Sequence, residues 1–78
     1  HANIDTLFKI FDMHESEAKS LVEKEISLPA YDQCLKASHV FNILDARGAI
    51  SVAQRAEYIG RIREITKSAA AIWINTQI

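Results

Sequence analysis

The side chains that could do chemistry here are three histidines, His1, His14 and His39, one thiol, Cys34, and carboxylates and basic groups spread over 78 residues. A zinc site needs three or four His, Cys or carboxylate ligands that converge, and two ligands on one helix stand four residues apart. His14-Glu15 has no second histidine four positions on, and Cys34 and His39 point about 140° apart on a helix turning 100° per residue. No metal site is predicted. There is no GxGxxG, P-loop, GxSxG or Gly-rich phosphate cradle, so neither a nucleotide site nor a nucleophile elbow is expected. Glu15/Glu17 and Glu23/Glu25 stand two apart, a spacing at which helical side chains do not face each other, and read as solvated surface. Cys34 reads as a small core residue. No residue is predicted to be catalytic, cofactor-binding or metal-ligating.

The informative residues are polar ones that fall inside apolar stripes. Ser38, Asn42 and Asp45 follow one another at i, i+4 and i+7, on the face that carries Tyr31 and Leu35. Arg55 projects between Ile59 and Ile62 and close to Trp73, while Glu15 falls between Phe11 and Ala18. Each would cost several kcal/mol if buried alone, so partners are required. The expectation is a polar seam of Ser38, Asn42, Asp45 and Arg55, with Arg55 meeting Asp45 or Glu15. A network that fixes helix register and a site that reaches a ligand both fit that pattern.

Three helices position these residues. Ile4, Leu7, Phe8, Phe11, Ala18, Leu21 and Val22 recur at three- and four-residue steps and form one stripe. Asn3 suits an N-cap, and Asp5 lies at the positive end of the helix dipole. Pro29 suits the first turn of a second helix, where its missing N–H is not needed. Tyr31, Cys34, Leu35, Ser38 and Phe41 follow, and Gly48 can take the left-handed position past the end. Ser51 and Gln54 form a capping box for a third helix. Its stripe is Val52, Ile59, Ile62, Ile65, Ala69, Ile72 and Trp73. Val40, Ile43 and Leu44 extend the apolar surface of helix two to another side, so a further layer of cover is expected. Gly60, mid-helix, costs about 1 kcal/mol relative to alanine. The predicted fold is all-α, a three-helix antiparallel bundle with helices at about 3–25, 29–46 and 52–76 in a single domain, 1–78.

Composition narrows the class. With 49% hydrophobic and 24% charged residues, two glycines and one proline, the chain is neither disordered nor collagen-like. The longest apolar run, Ala69 to Ile74, is six residues, against the roughly 20 a bilayer span needs. A lone cysteine and no secretory leader make a reducing, cytoplasmic setting the expectation. The start at His1 rather than Met suggests a piece of a longer chain. A formal charge of −1 argues against a dedicated nucleic-acid domain. The charge is uneven, however: residues 1–26 hold three lysines against six acids, whereas 51–78 hold four basic residues against two acids. Arg63 and Lys67 share a face and could touch phosphate; a solvated face with ordinary ion pairs explains them as well.

Longer words in the sequence carry more. Residues 28–52 read LPAYDQCLKASHVFNILDARGAISV, within which Leu28 to Asp32, Leu35 to His39 and Leu44 to Val52 form ordered segments. Upstream stand Leu7-Phe8-Lys9 and Phe11-Asp12; downstream stand Tyr58-Ile59 and Arg61-Ile62-Arg63. This pattern resembles the C-terminal helical region of the alpha subunit of bacterial heterotetrameric glycyl-tRNA synthetase, over nearly the whole chain. The family often has Thr-Glu-Arg after Ser-Val; Ala53-Gln54-Arg55 stand there, keeping Arg55 and a capping residue at Gln54. The tail from Ala69 to Ile78 is more divergent.

The resemblance implies a class II ligase. Glycine and ATP would give glycyl-adenylate and pyrophosphate, and the glycyl group would then pass to the 3′ end of its tRNA. The catalytic sheet, the ATP-clamping arginines and the glycine pocket of that family lie outside these residues, so ATP belongs to the whole enzyme and this segment is expected to be inactive alone. Implied partners are the catalytic domain of the same subunit, a second alpha subunit, the beta subunit and tRNA, with no membrane. Asp45 and Arg47, at a helix end, are the candidates for subunit contact, and Arg61, Arg63 and Lys67 for tRNA contact. A free-standing helical protein-interaction module is the competing reading, and it requires a surface without an exposed apolar patch.

Overall fold

The first helix starts where the sequence supplies a cap. In the computed structural model, which describes residues 3–77 and side chains for 3–75, α1 spans Ile4–Glu23, and Asn3 Oδ1 accepts from the Asp5 N–H at 2.7 Å. His1, weighed above as a metal ligand, and Ile78 lie outside the described residues. Leu7, Phe11 and Ala18 point into the core, and Glu15 lies buried among them. Ile4, Phe8, Leu21 and Val22 pack at its margin.

The end of α1 differs from expectation. The helix closes at Glu23 with a Schellman turn, in which Ile26 N–H donates to Leu21 O at 2.9 Å and Glu25 N–H to Val22 O at 3.0 Å. The left-handed residue of that turn is Glu25, at φ 58°. No glycine or asparagine marks the stop, so the sequence pattern runs on to about residue 25. The turn feeds directly into α2, Ser27–Ala46. Ser27, Leu28 and Pro29 are thus the first turn of α2 rather than a gap before it. Pro29 occupies one of the positions whose N–H would have no helical partner.

α2 ends in the same motif with the residue type it favours. Ala49 N–H donates to Leu44 O and Gly48 N–H to Asp45 O, both at 3.0 Å, with Gly48 at φ 70°. The capping box then opens α3, Val52–Gln77. Gln54 N–H donates to Ser51 Oγ at 3.1 Å, and Ser51 N–H to Gln54 Oε1 at 3.0 Å. The result is a three-helix bundle with no strand among the described residues. Its extents are 43 × 22 × 15 Å, the long dimension set by the 26 residues of α3, about 39 Å at 1.5 Å per residue.

The core is centred on Phe11, Leu44 and Cys34, and is flanked on α3 by Ile65, Ala69 and Ile72. Tyr58 gathers three rings around itself: Phe11 edge-on at 4.8 Å, Phe8 at 5.8 Å and Phe41 stacked at 6.3 Å between centroids. The inward face of α2 keeps the predicted Cys34 and Phe41 but is otherwise shifted. Ala30, Cys34, Ala37, Val40, Phe41 and Leu44 are buried, while Tyr31, Leu35 and Asn42 face outward. Small residues at 30, 34 and 37 let neighbouring helices approach closely, so larger Tyr31 and Leu35 are displaced to the outside. Val40 and Leu44 are buried within the bundle, without the further layer expected for them. On α3, Val52, Ile59 and Trp73 are likewise exposed.

Backbone conformation makes the first prediction. Glu25→Gly relieves a left-handed non-glycine residue and is expected to stabilise the chain by about 0.5–1 kcal/mol, while Gly48→Ala costs about 1 kcal/mol or more. A Cβ on Gly60 meets nothing within 4 Å, so Gly60→Ala should add about 0.5–1 kcal/mol. Guanidinium denaturation midpoints measure all three; a lower midpoint for Glu25→Gly would contradict the first.

Candidate functional site

Polar contacts and shallow grooves occupy the surfaces between helices. The first polar constellation is built on α1 and α3. Asp12 and Glu15, three apart, share a face of α1, and Tyr58 and Arg61 share a face of α3 by the same spacing. Arg61 donates through Nε to Glu15 Oε2 at 2.9 Å and through Nη2 to Glu15 Oε1 at 2.6 Å and Asp12 Oδ1 at 2.8 Å. Its guanidinium carbon lies 4.9 Å from the Phe11 ring centroid and 4.7 Å from that of Tyr58. The arginine side chain is 28% exposed and that of Glu15 only 11%. Hydrogen bonds from Arg61 hold the Glu15 carboxyl below its ordinary value of 4.5, against the opposing effect of burial. The same hydrogen bonds raise Arg61, which stays charged.

Of the two partners expected for Arg55 the structure gives Asp45, while Glu15 is held by Arg61, a residue named above as a candidate for tRNA contact. The geometry explains the pairing: Arg61 is level with the middle of α1, whereas Arg55 stands in the first turn of α3 beside the end of α2. Arg55 donates there to Asp45 Oδ1, through Nη2 at 2.6 Å and Nε at 3.2 Å. With the Arg55 side chain 52% exposed, that pair is a surface clasp at the α2–α3 turn and not a buried seam. Ser38 and Asn42 are not joined to it; they line a groove further along α2. Arg47 is the C-cap residue of α2, exposed at the same turn.

A second cross-link ties α1 to α2. His14 Nδ1 lies 2.7 Å from Gln33 Oε1, and because an amide oxygen only accepts, that ring nitrogen carries the proton. Cys34 is buried in the core. Burial pushes its thiol up, and a hydrogen bond with Thr66 only partly offsets this. Such a thiol is a poor nucleophile near neutral pH. Among the described residues no three His, Cys, Asp or Glu side chains converge on a point, no buried side-chain polar atom lacks a partner, and no helix is long and apolar enough to cross a membrane.

The groove lies between α2 and α3. It encloses about 580 Å³, with Phe41, Ile59, Ile62 and Ala70 as its apolar floor and walls, and Ser38, Asn42, Thr66, Arg63 and Lys67 around them. Two of the three residues assigned to tRNA, Arg63 and Lys67, thus stand on its rim, and neither makes an ion pair among the described residues. Beyond Ala70 the groove meets an apolar notch of about 230 Å³ bordered by Leu28, Tyr31 and Trp73. Leu28 is 64% exposed, Leu35 53% and Trp73 44%. Exposed large apolar side chains beside an apolar depression, on a chain this small, are the mark of an interaction surface.

Two measurements test the polar assignments. Arg61→Met strands Glu15 at the core edge and is expected to cost about 2–4 kcal/mol, whereas Arg55→Met costs under about 1 kcal/mol. Because the folded Glu15 is the stronger acid, its stabilisation is complete above about pH 4.5 and is lost as pH falls through the depressed folded value. Glu15→Gln should therefore flatten the acid limb of a stability–pH curve, and an unchanged limb would refute the assignment. Ellman's reagent should label Cys34 no faster than the chain unfolds; prompt labelling of the folded protein would contradict its burial.

Against known families, the model described as the glycyl-tRNA synthetase alpha subunit matches residues 1–78, the whole chain.

Proposed function

Because the chain belongs to the glycyl-tRNA synthetase alpha subunit family, whose role is the ligation of glycine to tRNA, we propose that it is a non-catalytic helical domain of that ligase. It holds part of the enzyme in place through the exposed face of α2 and α3. The carrying observation is the exposed apolar notch of Leu28, Tyr31 and Trp73 adjoining a groove, with Leu35 also exposed on α2, in a chain that already has a closed core. In this reading the segment lies C-terminal to a class II catalytic domain that activates glycine with ATP. The whole enzyme is a cytoplasmic heterotetramer of alpha and beta subunits. The face meets the catalytic domain, the second alpha subunit or the beta subunit, and Asp45 and Arg47 lie beside it at the α2–α3 turn.

The residues themselves support a non-catalytic role. Their strongest polar constellation, Arg61 with Glu15 and Asp12, is satisfied internally, and the thiol is buried. A free-standing module would have to present no exposed apolar patch, and the notch on α2 and α3 counts against that reading. Direct tRNA binding by Arg61, Arg63 and Lys67 loses its most ordered member to the internal fork.

Two outcomes follow. Residues 1–78 alone should give no glycine-dependent ATP–pyrophosphate exchange; measurable exchange would place chemistry in the bundle. In the intact synthetase, Leu35→Asp should leave helicity unchanged, since the side chain is half exposed. It should nonetheless weaken subunit assembly or glycylation at least about tenfold. Unchanged assembly and glycylation would remove this face from the interface.

A further inference from the structure

The two depressions on the exposed face share Ala70 as a border, so they form one channel. Along α3 it runs from Ile59 to Trp73, about 21 Å or roughly four helical turns at 1.5 Å per residue. Its floor is aliphatic and aromatic. Among the described residues lining either depression the charged ones are Arg63 and Lys67, four apart on one rim, and none is acidic. Both cations are exposed and free of ion pairs among the described residues.

We propose that this channel seats an acidic amphipathic helix of about four turns from another segment of the synthetase, a proposal that rests on the docking reading above. Its apolar stripe lies over Phe41, Ile62 and Ala70, and Asp or Glu residues along one edge meet Arg63 and Lys67. Four considerations select this occupant. Two packed helices present a groove into which a further helix fits by ridges and knobs, making a four-helix arrangement. A strand would find no sheet edge to extend, because the described residues contain no strand. RNA could stack on the exposed Tyr31 and Trp73 but would find two cations among the described lining residues, and strong RNA binding calls for more phosphate neutralisation than that. A second copy docking channel to channel would offer Arg63 and Lys67 no acid, since no described lining residue is acidic.

The test uses the assembled synthetase with tRNA present, with Tyr31, which borders the channel, replaced by the photo-crosslinking residue p-benzoylphenylalanine and the products mapped by mass spectrometry. The expected product is one protein segment with apolar residues at helical spacing and Asp or Glu on one edge. Crosslinks to nucleotides, to residues 1–78 of a second copy, or to a segment without acids would each overturn the proposal. Arg63→Glu with Lys67→Glu should cut crosslink yield about tenfold, and Asp/Glu→Lys changes in the captured segment should restore it. Arg63→Gln with Lys67→Gln, a milder change, should give an intermediate loss with helicity unaltered. If yield ignores these charges while Leu35→Asp still disrupts assembly, the acidic helix is refuted and the docking reading survives. If Leu35→Asp is silent and nothing is captured, both fall.

Discussion

The arrangement of this bundle depends on one arginine. Arg61 is gripped by two carboxylates of α1 and lies against the rings of Phe11 and Tyr58. Each element of that grip compensates for another. Glu15 can sit at the core edge because the guanidinium neutralises it, and the guanidinium can leave water because three hydrogen bonds and two ring faces replace its hydration. A planar fork meeting both oxygens of Glu15 also fixes distance and angle, which a lysine's point charge would not. The contact therefore sets the height of α3 relative to α1, in a protein where apolar packing alone would tolerate sliding by a turn.

That register is repeated at the ends of the helices. Both inter-helix turns are Schellman motifs of the same hydrogen-bond pattern, and each leaves one residue in the left-handed region. The α2–α3 turn is the better provided of the two: glycine takes the left-handed position, a reciprocal capping box starts the next helix, and Arg55 clasps Asp45 across the corner. The α1–α2 turn has a glutamate in that position and no side-chain cap on α2. Its stability must come from the packing of the two helices it joins, and from His14 with Gln33 midway along them. Strain at this turn is tolerated where helix–helix contact is most extensive.

What was legible in the sequence follows from this division. Helix existence and the caps at Asn3, Gly48 and Ser51 are local events decided by the residues that make them. Periodicity failed where local reading cannot reach. α2 is apolar on several faces, so its pattern does not say which face turns inward; the choice went to Ala30, Cys34 and Ala37, whose small size admits neighbouring helices. Reading by hydrophobicity favoured Tyr31 and Leu35 instead. Likewise Glu15 plainly needed a partner, but two arginines on α3 were candidates. The clue was the i, i+3 pairing of Asp12 with Glu15 and of Tyr58 with Arg61, which offered an acidic fork and an aromatic-backed cation to each other. Arg55 has no such company. The groove could not be read at all, since it is a property of two helices at once.

The misreading of α2 bears on function. Had Tyr31 and Leu35 filled the core, the bundle would have a polar exterior and the chain would have little to hold onto. Putting small residues inside and large ones outside gives tight helix contact at the expense of an apolar exterior, a poor bargain for an isolated protein of 78 residues and a sensible one for a part of something larger. The polar residues point the same way. The acids of Asp12 and Glu15 are consumed on the α1 side, leaving Arg63 and Lys67 as uncompensated charges on the α2–α3 side. The same face is therefore both apolar and marked by two cations without ion pairs among the described residues. Those two properties arise from separate residues on separate helices, and one surface that buried this face against an acidic, apolar counterpart would resolve both.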